Sequence, residues 1–323
     1  MTLNAKQTAI LPAYTKIFTA DKLKPTAKFK GFYVIVSKTL KSPFVFDSLT
    51  LSLSVKLDKD SAVLVEAAVK TEKGWSGLYK IFYLSNDYKK TFKPQKDTCA
   101  AVDCDVIKPV KGGLAYKYQI TVLGKAKLNF LTAAFTKAGA PYDTILAQDT
   151  LELKDFEIPL SPVCREQYPD KNLRGKICSP CALKTVLDYY GKKVPLQDVV
   201  KGVYDQEAKI YGTWPLNTAF ASQQGLAMGV VRCCSLAQAE GELYKGRPLI
   251  VSIAYKEGKL KNAAVKSTEG HLVVICGIDK QGDIIVMDSA AKDEKSVRRI
   301  YNRKQFAAAW LKNKKGIAYA IGE

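Results

Sequence analysis

The stretch KICSPCALKTVLDYYG, residues 176–191, places two cysteines three positions apart at the start of a predicted helix. Apolar residues recur on one helical face over residues 179–190, Pro180 lies near the first helical position, and Gly191 marks the stop. The positive end of a helix dipole stabilises a thiolate, so the sulfur of Cys178 is placed for reactivity. The pair could serve as a redox couple, as half of a zinc site, or as a nucleophile with an ordinary neighbour.

Two of these interpretations find little support in the rest of the sequence. A thioredoxin-like couple of Cys178 and Cys181 would need a βαβ pattern around it, which the basic RGKI before it and the helices after it do not provide. A zinc site would have to add Cys233 and Cys234, and adjacent cysteines are poor chelating partners compared with a second C-x-x-C. The sequence therefore favours a nucleophile at Cys178.

The single histidine of the chain supplies a candidate base for that nucleophile. His271 begins the strand-like run HLVVICGI, and Asp288 ends the next run, IIVMD. A hairpin turn centred on residues 279–280 would set His271 directly opposite Asp288, and a two-residue shift would leave them diagonal neighbours with backbones about 7–8 Å apart. A thiol, an imidazole and an orienting carboxylate are the parts of a nucleophilic hydrolase. Gln167, in CREQYPD, is the candidate amide for the oxyanion, beside the N–H of Cys178.

The first half of the chain consists of short runs in which apolar and polar residues alternate, separated by Gly, Pro, Asn or Asp. This pattern is typical of an antiparallel β-sandwich. The runs are FYVIV, FDSLTLSLSV, AVLVEAAV, LYKIFYL, YKYQITVL, KLNFLTAAF and ILAQDTLEL. No constellation of Cys, His and carboxylate residues suggests chemistry there, so we interpret residues 1–156 as a β-sandwich-like accessory domain.

The second half, residues 157–323, differs in composition and pattern. The segment FEIPLSPVCREQYPDKN carries three prolines that prevent continued helix or central strand, and all seven arginines follow it, which indicates a domain boundary. Helices come first and strands follow without alternation, which predicts an α+β fold with an antiparallel sheet. We predict helices at 179–190, 196–204, 215–223, 235–244 and 304–312, and strands in RPLIVSIAY, HLVVICGI, DIIVMDS and GIAYAIG.

Several segments together resemble a known family. They are, in order, EQYPDKNLRGKICSPCALKTVLDYYGKKVP, YGTWPLNTAFASQQGLAMGVV, RPLIVSIAY, EGHLVVICGIDKQGDIIVMDSAA and KQFAAAW. They resemble the bacterial papain-like cysteine peptidases related to the double-glycine leader peptidases, which process bacteriocins. The resemblance covers about residues 160–320. The first half is loosely similar to the β-rich region that accompanies the peptidase domain in the exported, stand-alone branch.

The resemblance implies a function and a role for each candidate residue. Cys178 would be the nucleophile, His271 the general base and acid, Asp288 the orienting group and Gln167 the oxyanion donor. Members of the family hydrolyse peptide bonds through an acyl-enzyme, and no cofactor or metal is expected. Trp214, Pro215 and Asn217 match a recurrent element of the family, for which the resemblance implies an architectural role.

One position departs from the family pattern. Cys181, three residues after the nucleophile, stands where this branch usually has a small residue such as Thr or Ala. As a small apolar helix residue Cys is a harmless substitute, but it could also form a disulfide with Cys178 or Cys164 that gates the enzyme. Two alternatives therefore stand beside the peptidase. One is a catalytically silent peptide- or envelope-binding module on the same fold, and the other is a thiol–disulfide exchange protein using Cys178 and Cys181.

The composition indicates which classes of binding partner to expect. A hydrophobic content of 47% and a charged content of 25% are those of a globular protein, and the net charge of +19 predicts an anionic partner or surface. The positive charge is spread evenly over both halves without a dense Lys/Arg block or a nucleic-acid module, so specific nucleic-acid binding is not expected. We expect a peptide or protein substrate and an anionic cell-envelope polymer that binds the basic surface.

The location of the protein is predicted from weaker signals. No apolar run approaches the roughly 20 residues of a membrane span, and the first residues lack the apolar region of a signal peptide. In TCAAVDCD, Cys99 and Cys104 could close a small loop by a disulfide, which would indicate an oxidising compartment. We expect an extracytoplasmic bacterial protein whose leader is absent from this sequence, with a protein that stays inside the cell as the alternative.

Overall fold

The computed structural model describes residues 14–137 and 154–322. By their internal contacts these residues divide into two compact units. One unit, called here the β unit, contains 14–137, 203–230 and 322, and the other, called the α+β unit, contains 154–202 and 231–321. The predicted domain boundary between residues 156 and 157 stays a prediction.

The described residues form twenty strands and five α-helices. The strands are β1 Thr15–Thr19, β2 Ala27–Phe29, β3 Phe32–Val36, β4 Leu40–Leu57, β5 Ala62–Thr71, β6 Gly74–Trp75, β7 Tyr79–Ser85, β8 Lys89–Lys90, β9 Gln95–Lys96, β10 Ala100–Asp103, β11 Val106–Pro109, β12 Gly113–Leu123, β13 Ala126–Lys137, β14 Phe156–Glu157, β15 Met228–Arg232, β16 Leu249–Tyr255, β17 Thr268–Ile278, β18 Ile284–Met287, β19 Arg298–Tyr301 and β20 Ile317–Ile321. The helices are α1 Cys178–Tyr189, α2 Leu196–Val203, α3 Trp214–Gln223, α4 Leu236–Tyr244 and α5 Arg303–Ala307, which continues into the π-helical turn Ala308–Lys312.

The β unit is built on one antiparallel network of strands. The order is β8-β7-β5-β12-β4-β11-β10-β9. In addition, β13 pairs with β4 and β1 with β13, β3 pairs with β12 and β2 with β3, and β6 pairs with β5. The 18-residue β4 is the longest strand and pairs with β12 near its start and with β13 along its second half. The alternation read from the sequence explains this arrangement, because the long strands β4, β5, β7, β12 and β13 carry buried apolar side chains.

Six of the seven predicted strand runs in the first half correspond to strands β3, β4, β5, β7, β12 and β13. The seventh, ILAQDTLEL at residues 145–153, lies outside the described residues. The division of these strands into the two layers of a sandwich stays a prediction.

A buried carboxylate organises the chain before α3 within the β unit. Asp205 is fully buried and accepts hydrogen bonds from the hydroxyls of Thr91 and Thr213, at 2.7 and 2.9 Å. It also accepts the backbone N–H groups of Thr91, Glu207 and Ala208. Because every oxygen lone pair meets a neutral donor, the carboxylate holds residues 205–213 in place without a charged partner.

The α+β unit has the predicted class of fold. Its strands run antiparallel in the order β20-β16-β17-β18-β19, with β14 paired to β17. Helix α1 packs against β17 and β16, and α4 contacts the same two strands. Helices with an antiparallel sheet are therefore confirmed. The sequence missed β15 and β19, since MGVVR and RRIY are too short to show a clear periodicity.

The predicted register of the β17–β18 hairpin is wrong by two residues. The structure pairs Val274 with Met287 and Ile275 with Val286, and the register then shifts by one residue before Gly277. Carrying this pairing one residue further sets Asp288 opposite Val273 rather than opposite His271. His271 and Val273 point to the same side of the strand, so His271 and Asp288 are diagonal neighbours.

The cause of the shift is a wider turn than the sequence suggested. The side chain of Asp279 accepts the N–H groups of Gln281 and Asp283, at 2.9 and 2.8 Å, and its own N–H donates to the carbonyl of Asp283. Gly282 adopts φ +84°, a conformation that glycine takes without steric cost. These contacts close a three-residue loop instead of the predicted two-residue turn.

The proposed disulfide between Cys99 and Cys104 is also wrong, because all eight cysteines are free thiols. The two cysteines lie at opposite ends of β10: the carbonyl of Cys99 accepts the N–H of Val110, and Cys104 lies in the turn before β11. Five residues of nearly extended chain span about 15 Å, whereas the Cα atoms of a disulfide lie about 4.4–6.8 Å apart.

Candidate active site

Cys178 is the first residue of α1, and the apolar face of this helix determines where the sulfur lies. Pro180 is the third helical residue, and Gly191 ends the turn after the helix with φ +70°. Packing against β17 fixes the N-terminal end of α1, so Cys178 meets His271 on that strand. The fully buried side chains of this face include Leu183, Val186 and Leu187.

His271 lies on β17, opposite Ile253 of β16, and only 3% of the residue is exposed. Its Nε2 atom is 2.7 Å from Oδ1 of Asp288. Because Nε2 is engaged by the carboxylate, Nδ1 is the ring nitrogen left to interact with Cys178. The imidazole therefore bridges a thiol and a carboxylate.

Asp288 is completely buried and receives three hydrogen bonds. Oδ1 accepts the backbone N–H of Ala290 at 2.9 Å as well as the His271 ring, and Oδ2 accepts the hydroxyl of Tyr301 at 2.6 Å. Burial opposes ionisation, but His271 and these donors hold the pKa of Asp288 well below its ordinary value. All partners donate, so the carboxylate is ionised and the tautomer of His271 carries its proton on Nε2 when the ring is neutral.

The pKa of His271 shifts in the opposite direction. Burial opposes protonation, but the charge and hydrogen bond of Asp288, followed by the interaction with Cys178, raise the pKa of His271 to about 10. A protonated His271 then faces the Cys178 sulfur from one side and Asp288 from the other.

Burial raises the pKa of the Cys178 thiol, but the neighbouring His271 ring outweighs this and lowers it below the ordinary value of 9.0. The backbone N–H of Leu272 and the charge of Arg165 lower it further. A thiolate paired with an imidazolium is the state that these contacts favour, and it is the reactive form of a cysteine nucleophile.

Gln167 does not share these contacts. It ends the 3-10 turn Arg165–Gln167, its side chain is exposed, and it lines a cavity of about 490 Å³ whose described lining contains neither Cys178 nor His271. The structure brings Cys178, His271 and Asp288 together, while the role of Gln167 as oxyanion donor stays a prediction.

Sequence reasoning missed three contributors to the site. Tyr301 lies in the short edge strand β19, Arg165 lies two residues before Gln167, and Leu272 contributes only its backbone N–H. No spacing rule distinguishes such residues, because their role depends on which atoms the fold brings to Asp288 and Cys178. Only the nearness of Arg165 to a predicted site residue could have indicated it.

The second cysteine of the pair has a different environment from the first. Cys181 is completely buried, and burial raises the pKa of its thiol. Cys164 is buried as well, with its sulfur 3.2 Å from the carbonyl oxygen of Ala291. A buried thiol with a raised pKa is a poor nucleophile, which argues against thiol–disulfide exchange. Among the described residues no group of three or more His, Cys, Asp or Glu side chains could hold a metal ion.

A helix that begins at a cysteine, packed on an antiparallel sheet that carries a histidine, resembles the core of the papain-like cysteine peptidases. Residues 161–318 match the model of the family described as the Peptidase_C39 like family. The resemblance drawn from the sequence motifs is therefore confirmed for this part of the chain, and the match supports a cysteine peptidase in general.

Two solved structures are similar to about half of the chain. One is a double glycine motif protease from an AMS/PCAT transporter in complex with the leader peptide, at 18% identity and a TM-score of 0.34, covering 51% of this chain and 92% of that chain. The other is described as a C39-like peptidase from Bacillus anthracis, at 16% identity and a TM-score of 0.39, covering 52% of this chain and 98% of that chain. No curated protein matches this chain. None of the helices in the described ranges is long and apolar enough to cross a bilayer.

Proposed function

We propose that the protein is a cysteine peptidase that hydrolyses peptide bonds through an acyl-enzyme. Cys178 is the nucleophile, His271 the general base and acid, and Asp288 the group that orients His271. We further propose a β-sandwich-like domain at residues 1–156, a peptidase domain at 157–323, and an extracytoplasmic location in a bacterium with an anionic envelope polymer as second partner.

The first half of the reaction forms a thioester. The Cys178 thiolate attacks the carbonyl carbon of the scissile bond, and the C=O electron pair moves onto the oxygen. The backbone N–H of Cys178, at the start of α1, and the amide of Gln167 stabilise this oxyanion. When the tetrahedral intermediate collapses, the C–N bond breaks and the His271 imidazolium gives its proton to the leaving amine.

The second half releases the acyl group. Neutral His271 accepts a proton from a water molecule while the water oxygen attacks the thioester carbon. Collapse of the second intermediate breaks the C–S bond, frees the carboxylic acid and restores the Cys178 thiolate beside a protonated His271. Asp288 keeps the ring oriented and stabilises its positive charge throughout.

One observation carries this proposal: a buried imidazole touches both a helix-start thiol and an ionised carboxylate, with Nε2 2.7 Å from Asp288. An ordinary surface ion pair does not lower the pKa of a thiol enough to overcome the effect of burial. A cysteine nucleophile requires such a lowered pKa.

Alkylation with iodoacetamide tests the nucleophile. We expect Cys178 to be labelled in the full-length protein well below pH 8.5, roughly the reference for a free thiol. Cys104 is an internal control, because burial raises the pKa of its thiol to about 12 although the residue is not fully buried. Labelling at Cys178 that begins only near the pH of an ordinary thiol would contradict the proposal. A library of peptide electrophiles would then report side-chain preference.

The exposed position of Gln167 favours a second candidate, a catalytically silent module that binds peptides on the same fold. Without a second oxyanion donor near Cys178 the thiolate would still form, but turnover would be slower by about 100-fold or more. Gln167→Ala separates the two functions. In the peptidase, kcat on a peptide substrate falls by about 100-fold or more, whereas the silent module shows labelling of Cys178 but no turnover in either form.

A further inference from the structure

One face of the β unit carries lysines at regular positions on neighbouring strands. Residues that pair directly across an antiparallel sheet share a face, and the register places Lys117 opposite Ala68 and Lys80 opposite Glu66. The alternate residues of β5, β7 and β12 are the fully buried core, so this face is the outer one. It is called here the lysine face, and four of its cationic residues are Lys70, Lys80, Lys90 and Lys117.

The four ammonium groups of the lysine face form no ion pair with any residue in the described ranges 14–137 and 154–322. Among the described residues, no carboxylate oxygen lies within 4.0 Å of any of the four ammonium groups. The one acid on the face, Glu66, is 8% exposed and accepts a hydrogen bond from the side-chain amide of Gln119 at 2.9 Å. Four ammonium groups on one sheet face therefore attract an external anion.

Aromatic rings alternate with these lysines. The ammonium of Lys117 lies 4.6 Å from the ring centroid of Trp75, and those of Lys80 and Lys90 lie 5.8 and 5.0 Å from that of Phe92. Trp75 remains 36% exposed and Tyr88 43% exposed. Cation–π contacts hold the ammonium groups at the surface, and the exposed parts of the rings offer apolar area beside each charge.

The spacing of the charges identifies the shape of the ligand. Lys70 and Lys117 are diagonal neighbours on adjacent strands, about 7–8 Å apart between backbones. Lys90 lies three strands away from Lys117, about 20 Å by strand spacing and rise. A small anion could contact neighbouring lysines only, whereas a linear chain with repeated charges can contact all four. The sequence has no dense Lys/Arg block and no nucleic-acid module, which favours a polysaccharide over a nucleic acid as this linear chain.

We propose that the lysine face binds a linear anionic polysaccharide, whose carboxylate or phosphate groups pair with the lysines while sugar rings lie against Trp75 and Tyr88. The β unit would in this way hold the enzyme on an anionic envelope polymer. These residues would be the binding site for the anionic envelope polymer that the proposed function includes as second partner. This binding is independent of the peptidase chemistry, because none of these residues belongs to the candidate active site.

The test compares two variants of the full-length chain, each with four Lys→Gln substitutions. One carries them at Lys70, Lys80, Lys90 and Lys117. The matched control carries them at four exposed lysines of the α+β unit, Lys193, Lys201, Lys256 and Lys259. Both lose the same net charge. We expect wild type and control to bind dextran sulfate and polygalacturonate, and uncharged dextran not at all, with the lysine-face variant about 10-fold weaker or more.

Every other result of this binding experiment either supports or contradicts the proposal. Equal weakening in both variants would show that overall charge, rather than the lysine face, causes binding, and would overturn the proposal. Tighter binding to single-stranded DNA or to phosphatidylglycerol vesicles than to the polysaccharides would also overturn it. Quenching of Trp75 fluorescence by polygalacturonate, lost in Trp75→Leu, would confirm the position of the ligand. Alkylation of Cys178 should be the same in all variants. A failure of the polysaccharide-binding proposal can therefore be distinguished from a failure of the peptidase proposal.

Discussion

Two carboxylates, Asp288 in the α+β unit and Asp205 in the β unit, are both completely buried and both fully hydrogen-bonded. Asp205 is surrounded by threonine hydroxyls and backbone N–H groups, none of which titrates in the physiological range. Asp288 has a backbone N–H and a tyrosine hydroxyl, but its third partner is an imidazole that also reaches a thiol.

The comparison shows that a buried carboxylate is not by itself a sign of catalysis. Both side chains satisfy the rule that a buried charge must be hydrogen-bonded. What differs is the identity of one donor, because only a group that can gain and lose a proton links the carboxylate to chemistry. We therefore expect substitutions at Asp288 to alter reactivity and substitutions at Asp205 to alter stability.

The largest effect is expected for His271→Ala, which removes the titratable partner from the Asp288 region. Peptidase activity should fall by at least about 1,000-fold. The pKa of Cys178 is below its ordinary value in the wild type, so its thiolate persists as the pH falls through the range in which an ordinary thiol becomes protonated. The pKa of His271 is raised to about 10, so the imidazolium beside the thiolate persists as the pH rises until about that value. In the variant only the N–H of Leu272 and the charge of Arg165 oppose the effect of burial, so the pKa of the Cys178 thiol rises. Iodoacetamide labelling of Cys178 across pH 5–10 measures this shift, and an unchanged pH profile would contradict the contact.

The next effect is expected for Asp288→Asn. The asparagine keeps the shape but presents an amide that does not carry the negative charge opposite His271, so the pKa of His271 falls and its preferred tautomer changes. We expect kcat to fall by about 100-fold or more while KM changes little. The Asp205→Asn protein serves as the matched control, and equal losses of kcat in both would remove the distinction between the two carboxylates.

A smaller effect is expected for Tyr301→Phe, which deletes the hydroxyl that donates to Asp288 at 2.6 Å and leaves the ring in place. A hydrogen bond to a charged group contributes about 1.5–3 kcal/mol, so kcat should fall by roughly 10-fold or somewhat more. The acid limb of the pH–rate profile should also move, because Asp288 is less well stabilised as an anion. A loss of thermal stability with an unchanged kcat would show that the Tyr301 hydroxyl contributes to stability and not to catalysis.

Activity should be least affected by Asp205→Asn. The new amide keeps one accepting oxygen, but its NH2 group cannot accept the N–H and hydroxyl donors that surround the other oxygen of Asp205, so we expect the free energy of unfolding to fall by about 2–4 kcal/mol. Urea denaturation measures this loss. Alkylation of Cys178 and kcat should stay at wild-type values at a temperature where the variant is folded. A changed pH dependence of Cys178 labelling in Asp205→Asn would mean that Asp205, like Asp288, influences the reactivity of the thiol.

The sequence by itself determined the elements of the site: the helix that begins at Cys178, the strand runs before and after residues 279–283, and the class of fold. These depend on local patterns, because apolar periodicity and the positions of Pro180 and Gly191 act within a few residues. The three residues of the site were named from such patterns together with the family resemblance, and the diagonal contact of His271 and Asp288 lay within the register error allowed.

Only the tertiary structure decided which atoms meet. The width of the turn at Asp279 set the hairpin register, the pairing of β19 brought the hydroxyl of Tyr301 to Asp288, and the turn at Arg165–Gln167 left the Gln167 side chain exposed. Such contacts join residues far apart in the chain, and their geometry depends on packing that no single segment encodes. The sequence patterns did not indicate the buried Asp205 either, because one of its donors, Thr91, lies 114 residues away in the chain.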